Sequence, residues 1–332
     1  MFEDTSESWS HGRVPQPHRI AFQQHHKKAV LVIAGPTATG KTAFSIEIAK
    51  KIGGEIISAD SMQVYRGMDI GTAKVTNKEA EGIPHHLIDL RDITEVFNVV
   101  DYVEHAHAAI TDIQSRGKVP IVVGGTGFYI HALMYGPPQG PPASAPIREK
   151  LEKDIDLLGP EALYQKIVEL DPEYAQTIGS GDRQKIVRAL EIMALTNKRV
   201  SEFGKFRQNL KMQKHKFKPY FIYYPKEILY QRIDARCDVM IEQGFPEEVE
   251  RLEKQGLRKN LSASQAIGYK QYLEFLASEH SDEDWQEFVE SFKRASRRYA
   301  KRQFTWFRGE KEFEWLNLDE MEREEVIHRM LH

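Results

Sequence analysis

Residues 35–42, Gly35-Pro36-Thr37-Ala38-Thr39-Gly40-Lys41-Thr42, fit the pattern G-x-x-x-x-G-K-[ST] at each fixed position. The chemistry of that spacing is the capture of a diphosphate or triphosphate. Gly35 and Gly40 permit backbone angles and close approaches that a Cβ blocks. The loop amides and the start of the following helix then converge on one anion. Lys41 adds a full charge on the outer phosphates, and the Thr42 hydroxyl is a ligand for Mg²⁺. Two further groups belong to the same chemistry. Asp60 opens the segment Asp60-Ser61-Met62-Gln63, and Thr126 lies in Gly124-Gly125-Thr126-Gly127. Asp60 is either a helix cap or outer magnesium partner, or a general base working beside the phosphates. Thr126 is a cap for the helix it heads, a group facing the same crevice, or both.

These groups need a scaffold that puts them at one edge. Ala29 to Ala34 is a continuous apolar run and reads as a buried strand, followed by the glycine-rich loop and an amphipathic helix over Ala43–Lys51. Glu55–Ala59 and Val119–Val123 read as two more buried strands. In a parallel sheet, the residues just past the carboxyl ends of neighbouring strands share one crevice, so Asp60 is expected close to Lys41 and Thr42. Val99–Arg116 has helical periodicity, His86–Leu90 reads as a short strand, and Phe128–Tyr135 as a helix. The dense prolines of Gly136–Pro146 mark a boundary. Helical patterns follow over Ile147–Leu158, Glu161–Leu170, Pro172–Ile178 and Asp182–Leu195. Lys205–Lys218 holds six cations and no acid. Pro219–Tyr224 reads as a strand returning to the sheet. Helices are expected over Lys226–Gln243, Glu247–Gln255, Ser264–Leu276 and Glu283–Arg308, with an edge strand at Glu312–Leu316 and a last helix at Asp319–Leu331. The Glu283–Arg308 helix interleaves bases and aromatics, which suits phosphate contact on one face and packing on the other. The expected fold is α/β: a P-loop NTPase-like parallel sheet flanked by helices, with a helical insertion. Residues 29–136 and 219–332 form the core domain, 137–218 the insertion, and 1–28 a polar, disordered extension.

Composition narrows the function. The chain has 332 residues, 41% hydrophobic and 29% charged, with a net charge of −3. Any nucleic-acid contact must therefore come from local basic patches. The single cysteine, Cys237, excludes a disulfide framework and a cysteine zinc site. The thirteen histidines are scattered, and the adjacent pair His85-His86 lacks the spacing of a helical metal pair. No apolar run approaches the ~20 residues that span a membrane, and 1–28 has no apolar signal core. A cytoplasmic protein with no membrane partner is expected; the sequence does not set the oligomeric state, for which a monomer is the expectation.

Taken together, the motifs resemble one family, the tRNA dimethylallyltransferases or tRNA isopentenyltransferases, of the bacterial type without a zinc finger. The segments that carry the resemblance are Gly35–Thr42, Asp60–Lys74, Pro84–Asp89, Gly124–Tyr129 and Tyr299–Arg308, within a span of about Lys28 to Leu316. The resemblance implies transfer of a dimethylallyl group from dimethylallyl diphosphate to N6 of adenosine 37, beside the tRNA anticodon. It implies that Asp60 is the general base and that Thr126 contacts the reacting region. Arg236, or Arg232 one turn before it, holds the diphosphate, with Mg²⁺ on Thr42. It aligns Asp60–Gln63, Thr126, Arg148, Gln184-Lys185-Ile186-Val187-Arg188 and Gln265-Ala266-Ile267-Gly268-Tyr269-Lys270 with segments that contact the anticodon stem-loop. The target base has to leave the loop stack to react.

Two other enzymes would use the same loop. A small-molecule or nucleotide kinase shares the P-loop but has no need of a basic helical insertion; ATP turnover without tRNA would favour it. An adenylate prenyltransferase runs the same reaction on a free nucleotide, and activity on AMP would favour that. A P-loop protein that only binds RNA leaves Asp60 without a task.

Overall fold

The run Ala-Val-Leu-Val-Ile-Ala has no polar side chain to offer solvent, and it forms the central strand of a sheet covered on both faces. The computed structural model describes residues 29–203 and 215–332. The extension 1–28, and Lys205, Arg207, Lys211 and Lys214 of the basic stretch, lie outside the described residues. The strands are β1 (Ala29–Ala34), β2 (Gly54–Ala59), β3 (His85–His86), β4 (Val119–Gly124), β5 (Lys216–Tyr223) and β6 (Glu314–Asn317). They form one six-stranded sheet in the order β3-β2-β4-β1-β5-β6. Every pairing is parallel. β1, β2 and β4 are buried at each residue, as strands enclosed by helices on both faces must be.

The helices are α1 (Lys41–Ile52), α2 (Asn77–Ala80), α3 (Val99–Ser115), α4 (Gly127–Tyr135), α5 (Ala145–Leu158), α6 (Pro160–Leu170), α7 (Pro172–Ala175), α8 (Arg183–Thr196), α9 (Lys226–Glu242), α10 (Phe245–Lys254), α11 (Tyr269–Phe275), α12 (Asp282–Arg308) and α13 (Arg323–Leu331). On one sheet face, Leu31, Ile33, Ile56, Ile121 and Ile222 pack with Phe44, Ile48 and Ile52 of α1 and Val326 and Met330 of α13. Each such side chain contributes about 1.5–3 kcal/mol by leaving water. Elsewhere, Phe221 of β5 meets Phe307 of α12 at 4.9 Å between ring centroids. Ser281 caps the long α12 reciprocally with Asp284, and three acids fill its first turn, where they meet the positive end of the helix dipole.

The chain divides into two compact units, residues 1–134 with 214–332, and residues 135–213. The second is helical. Ile155, Leu163, Ile167, Ile186, Val187 and Leu190 form its own core, so Ile186 and Val187, read above with a tRNA-contacting segment, point inward. Glu191 is fully buried in this unit. Its carboxylate accepts bonds from Arg148 at 2.9 Å, Arg188 at 2.6 Å and the Ser144 amide at 2.7 Å.

Several expected elements differ. The helices expected over Pro172–Ile178 and Asp319–Leu331 run Pro172–Ala175 and Arg323–Leu331. β3 stops at His86, because Leu87 and Asp89 take left-handed backbone angles (φ 63° and 55°). β5 starts at Lys216, upstream of the apolar run, since its first residues pair with Ala29 and Val30 of β1. The helix expected over Ser264–Leu276 is broken: a 3-10 turn at Ala263–Gln265 precedes α11, and Gly268 between them sits at φ 86° against Phe245 and Phe292.

Candidate active site

The carboxyl ends of β1, β4 and β2 finish level: Ala34 and Ala59 both stand opposite Gly124. β4 therefore lies between the P-loop strand and the Asp60 strand. At ~4.8 Å per strand, the loop and Asp60 spring from points about 10 Å apart. The β4 end between them is glycine because its neighbours leave no room for a side chain. A Cβ on Gly124 would fall 2.2 Å from the Ala59 carbonyl, and one on Gly125 would fall 2.1 Å from Gln303 Nε2.

The P-loop is fixed by its own atoms and by two distant helices. Gly40 at φ 83° turns the chain into α1. The Thr39 hydroxyl donates to the Pro36 carbonyl at 2.9 Å, and Lys41 Nζ donates to the same oxygen at 2.6 Å. From α12, Gln303 accepts the Thr37 N–H at 3.1 Å and donates to the Gly125 carbonyl at 2.9 Å, so one amide ties the P-loop to the β4 end. From α9, Arg232 Nε donates to the Ala38 carbonyl at 2.9 Å while its guanidinium lies 4.7 Å from the Tyr224 ring centre. Arg236, one turn on, is half-buried and makes no salt bridge to a described residue. Of the two arginines, Arg232 is occupied by the loop and Arg236 is not.

The electrostatics are those of a site awaiting an anion. Burial and the charge of Arg236 push the Lys41 ammonium down to about 7, against the opposing pull of Asp60. Burial likewise lowers Arg236 from its ordinary value, with Asp60 acting the other way. Lys41 has no carboxylate within salt-bridge reach among the described residues. Two cations concentrated this way repel each other until a negative ligand arrives.

Asp60 is oriented by the turn that follows β2. Its Oδ1 accepts the Met62 N–H at 2.8 Å and the Gln63 N–H at 3.3 Å. Oδ2 makes no hydrogen bond to a described residue. The Thr126 hydroxyl accepts the Ser61 N–H at 3.2 Å; the expected bond to an amide of α4 is not made among the described residues. Gln63 is held in turn by Ser58 and the Thr72 carbonyl. Tyr299 of α12 is the neighbour that sequence reasoning gave no role. Its phenol is pushed up to about 12 by burial and by the Asp60 carboxylate, with the Thr126 and Gln303 side chains pulling the other way. It therefore remains a neutral hydroxyl beside Asp60.

The loop after Asp60 is locked from behind. Buried Glu248 accepts the Asp69, Ile70 and Gly71 amides at 2.7–3.1 Å and the Tyr269 hydroxyl at 2.5 Å. Lys74 donates to the Tyr65 carbonyl, Asp69 and Asp89. Tyr269 is thus a buried support; Ala266 and Gly268 are also buried, and only Gln265 of that segment is fully exposed. Gln184 and Lys185 are exposed on α8, with Lys185 Nζ 3.0 Å from Asp182.

For a metal, the donor set is spare. Thr42 is exposed at the first turn of α1, and the described residues hold no group of three or more His, Cys, Asp or Glu side chains fit to bind one. Mg²⁺ keeps several waters and binds through few protein oxygens plus substrate phosphates; the Thr42 hydroxyl offers one such oxygen. No helix among the described residues is long and apolar enough to cross a membrane.

Comparison with known proteins agrees with this geometry. The family model for IPP transferase matches residues 63–310. The chain is 55% identical over 308 residues to a tRNA dimethylallyltransferase of Protochlamydia amoebophila (strain UWE25), covering 93% of this chain and 89% of that one. To a tRNA dimethylallyltransferase of Chlamydia abortus it is 46% identical over 288 residues, 87% and 84% of the two chains. Among solved structures it resembles the tRNA isopentenylpyrophosphate transferase of Bacillus halodurans, with TM-score 0.66 and 38% identity over 92% of this chain and 94% of that one. It also resembles a eukaryotic dimethylallyltransferase acting on tRNA, with TM-score 0.69 and 33% identity over 87% and 74%. A complete P-loop, a carboxylate and a threonine at level strand ends, and relatives this similar over nearly the whole chain make it a member of the tRNA dimethylallyltransferase, or IPP transferase, family.

Proposed function

We propose that the protein transfers the dimethylallyl group of dimethylallyl diphosphate to N6 of adenosine 37 in tRNA, releasing diphosphate. The observation that carries this is the pairing of a cationic P-loop whose lysine has no salt bridge among the described residues with Asp60 two strands away, past the glycine end of β4. In this reading the loop amides, Lys41 and Arg236 hold the diphosphate. They gain strength as negative charge collects on the departing oxygen. Arg232 holds the loop in shape through Ala38. Mg²⁺ on the Thr42 hydroxyl would supply further charge neutralisation to the diphosphate.

An exocyclic adenine amine is a weak nucleophile, because its lone pair is delocalised into the ring. Asp60 Oδ2, the oxygen without a partner, takes the amine proton as the C–N bond forms; the Met62 and Gln63 amides keep Oδ1 still. Thr126 and the neutral Tyr299 hydroxyl border the same space and offer hydrogen bonds to the incoming base. The base reaches it extruded from its stack. Contact with the anticodon stem-loop is by shape and phosphate, with Gln184, Lys185, Gln265 and Lys270 on the outside. Arg148 and Arg188 serve it indirectly, by holding Glu191. The protein works as a cytoplasmic monomer and uses no ATP.

The test is mass spectrometry of bulk tRNA incubated with the protein, dimethylallyl diphosphate and Mg²⁺. The expected product is N6-dimethylallyladenosine next to the anticodon. Unmodified tRNA, with ADP formed when ATP is added, would move the reading to a kinase; prenylated AMP without prenylated tRNA would move it to the adenylate enzyme.

A further inference from the structure

Trp306 is 40% exposed, yet it is held on three sides. Its pyrrole edge fills the space where a side chain on Gly127 would begin: a Cβ there would lie 2.3 Å from the indole Cδ1. Phe128, 37% exposed, meets it edge to face at 6.1 Å between ring centroids and an interplanar angle of 81°. His131 meets it at 6.2 Å and 87°, and is itself held by Glu310 at 2.8 Å. An aromatic face that is solvent-exposed but already fixed loses little further freedom when something stacks on it.

Its position matters as much as its rigidity. Tyr299, Arg302, Gln303 and Trp306 follow at i, i+3, i+4 and i+7 on α12, so they share one face. Tyr299 borders Asp60, Gln303 holds the P-loop, and Trp306 reaches the α4 start immediately after Thr126. The charge on that helix changes along its length. Lys293, Arg294 and Arg297 are paired with Asp238, Glu287 and Asp234. Arg298, Lys301, Arg302 and Arg308 are exposed and form no salt bridge with a described residue. Arg302 lies over the Tyr299 ring at 5.5 Å, and in the helix it stands between Tyr299 and Trp306 on the shared face.

A fixed aromatic face bordered by unpaired cations fits a nucleotide: a base on the ring and its phosphate on the guanidinium. A bare apolar chain would have no use for the cations. We propose that Trp306 is a stacking site for the base adjoining the reacting adenosine, with Arg302 on the phosphate between the two. This rests on the RNA-acceptor reading above and adds to it a subsite for a second nucleotide.

The test is a double-mutant cycle between protein and RNA. An anticodon stem-loop is made intact, and with the base removed from the nucleotide on either side of the target adenosine. Binding of each to wild type, Trp306→Ala and Trp306→Phe is measured, together with KM for dimethylallyl diphosphate. Wild type should bind one abasic RNA weaker by on the order of tenfold. Trp306→Ala should bind intact RNA that much weaker and be indifferent to the missing base, Trp306→Phe should recover most of the loss, and KM for dimethylallyl diphosphate should not move. Additive losses, an unchanged affinity in Trp306→Ala, or a raised KM for the diphosphate would overturn the stacking site. Prenyl transfer by wild type to the intact stem-loop separates the two readings: if it occurs and the cycle is additive, only the stacking site fails, and if it does not occur, the acceptor reading fails.

Discussion

The P-loop crevice and the helical unit each gather two cations, and they treat the charge in opposite ways. In the helical unit, Arg148 and Arg188 both close on buried Glu191, so each cation has a carboxylate partner and the trio keeps one net positive charge. In the crevice, burial and the charge of Arg236 lower Lys41, burial lowers Arg236, and Asp60, the carboxylate that acts on both, is held by backbone amides instead of closing on either. A paired buried charge is a structural element. An unpaired one is destabilising until its ligand binds, and proteins keep such arrangements at functional sites. The contrast locates function more sharply than residue type does, since arginine and lysine stand in both places.

Several substitutions would break the contrast if it is false. The largest effect is expected at Asp60. Asp60→Asn keeps the shape and the oxygen that meets the Met62 amide, and should lower kcat by about 10²–10⁴ with little change in diphosphate affinity. Recovery of rate in single-turnover experiments at saturating substrates and Mg²⁺ would make Asp60 a scaffold. Lys41→Met should cost on the order of 10²–10³ in kcat, yet leave the folded protein as stable as before or more so, because it removes a repelling charge. Near-normal transfer by a folded Lys41→Met protein would remove the P-loop from the reaction. The reverse pattern is expected in the helical unit. Arg148→Ala with Arg188→Ala strands a buried carboxylate and should cost about 3 kcal/mol in denaturant unfolding, the low end of the range because both guanidiniums are partly solvated. Glu191→Gln in the same background should return part of that loss. A double variant of unchanged stability that binds tRNA poorly would make both arginines direct RNA ligands. The smallest effect belongs to Lys185→Ala: a few-fold weaker tRNA binding, with the slope of log affinity against log salt reduced by about one and kcat untouched.

Much of this arrangement is legible in the sequence, for physical reasons. Enclosed parallel strands must be continuous apolar runs, so β1, β2 and β4 announce themselves, and their ends point to Gly35–Thr42, Asp60 and Thr126. What the sequence hides is set by contacts between distant segments. Nothing local tells that β4 inserts between the loop strand and the Asp60 strand, or that Gln303 reaches the Thr37 amide. Glu248 sits in an amphipathic helix, where a surface position is the natural reading, and its three amide partners come from a loop far upstream. Arg148 and Arg188 read as RNA contacts because a cation on a helical insertion invites it. The one local signal for their pairing is Glu191, one turn after Arg188.

The central claim is that the crevice keeps its cations uncompensated for a diphosphate, and Lys41 gives the direct measure. Burial and the charge of Arg236 push its ammonium down to about 7. A bound diphosphate raises that value, so binding above pH 7 draws a proton onto Lys41, and affinity is full below about pH 7 and declines as pH rises through it. Lys41→Arg stays charged and has no proton to gain. Calorimetric titration with dimethylallyl diphosphate at pH 8, in two buffers of different ionisation enthalpy, counts the protons taken up by each protein. Wild type should take up close to one proton more than Lys41→Arg. Equal uptake, with wild-type affinity flat across pH 6 to 9, would mean that Lys41 is already fully charged in the free protein and that the crevice is not an uncompensated anion site.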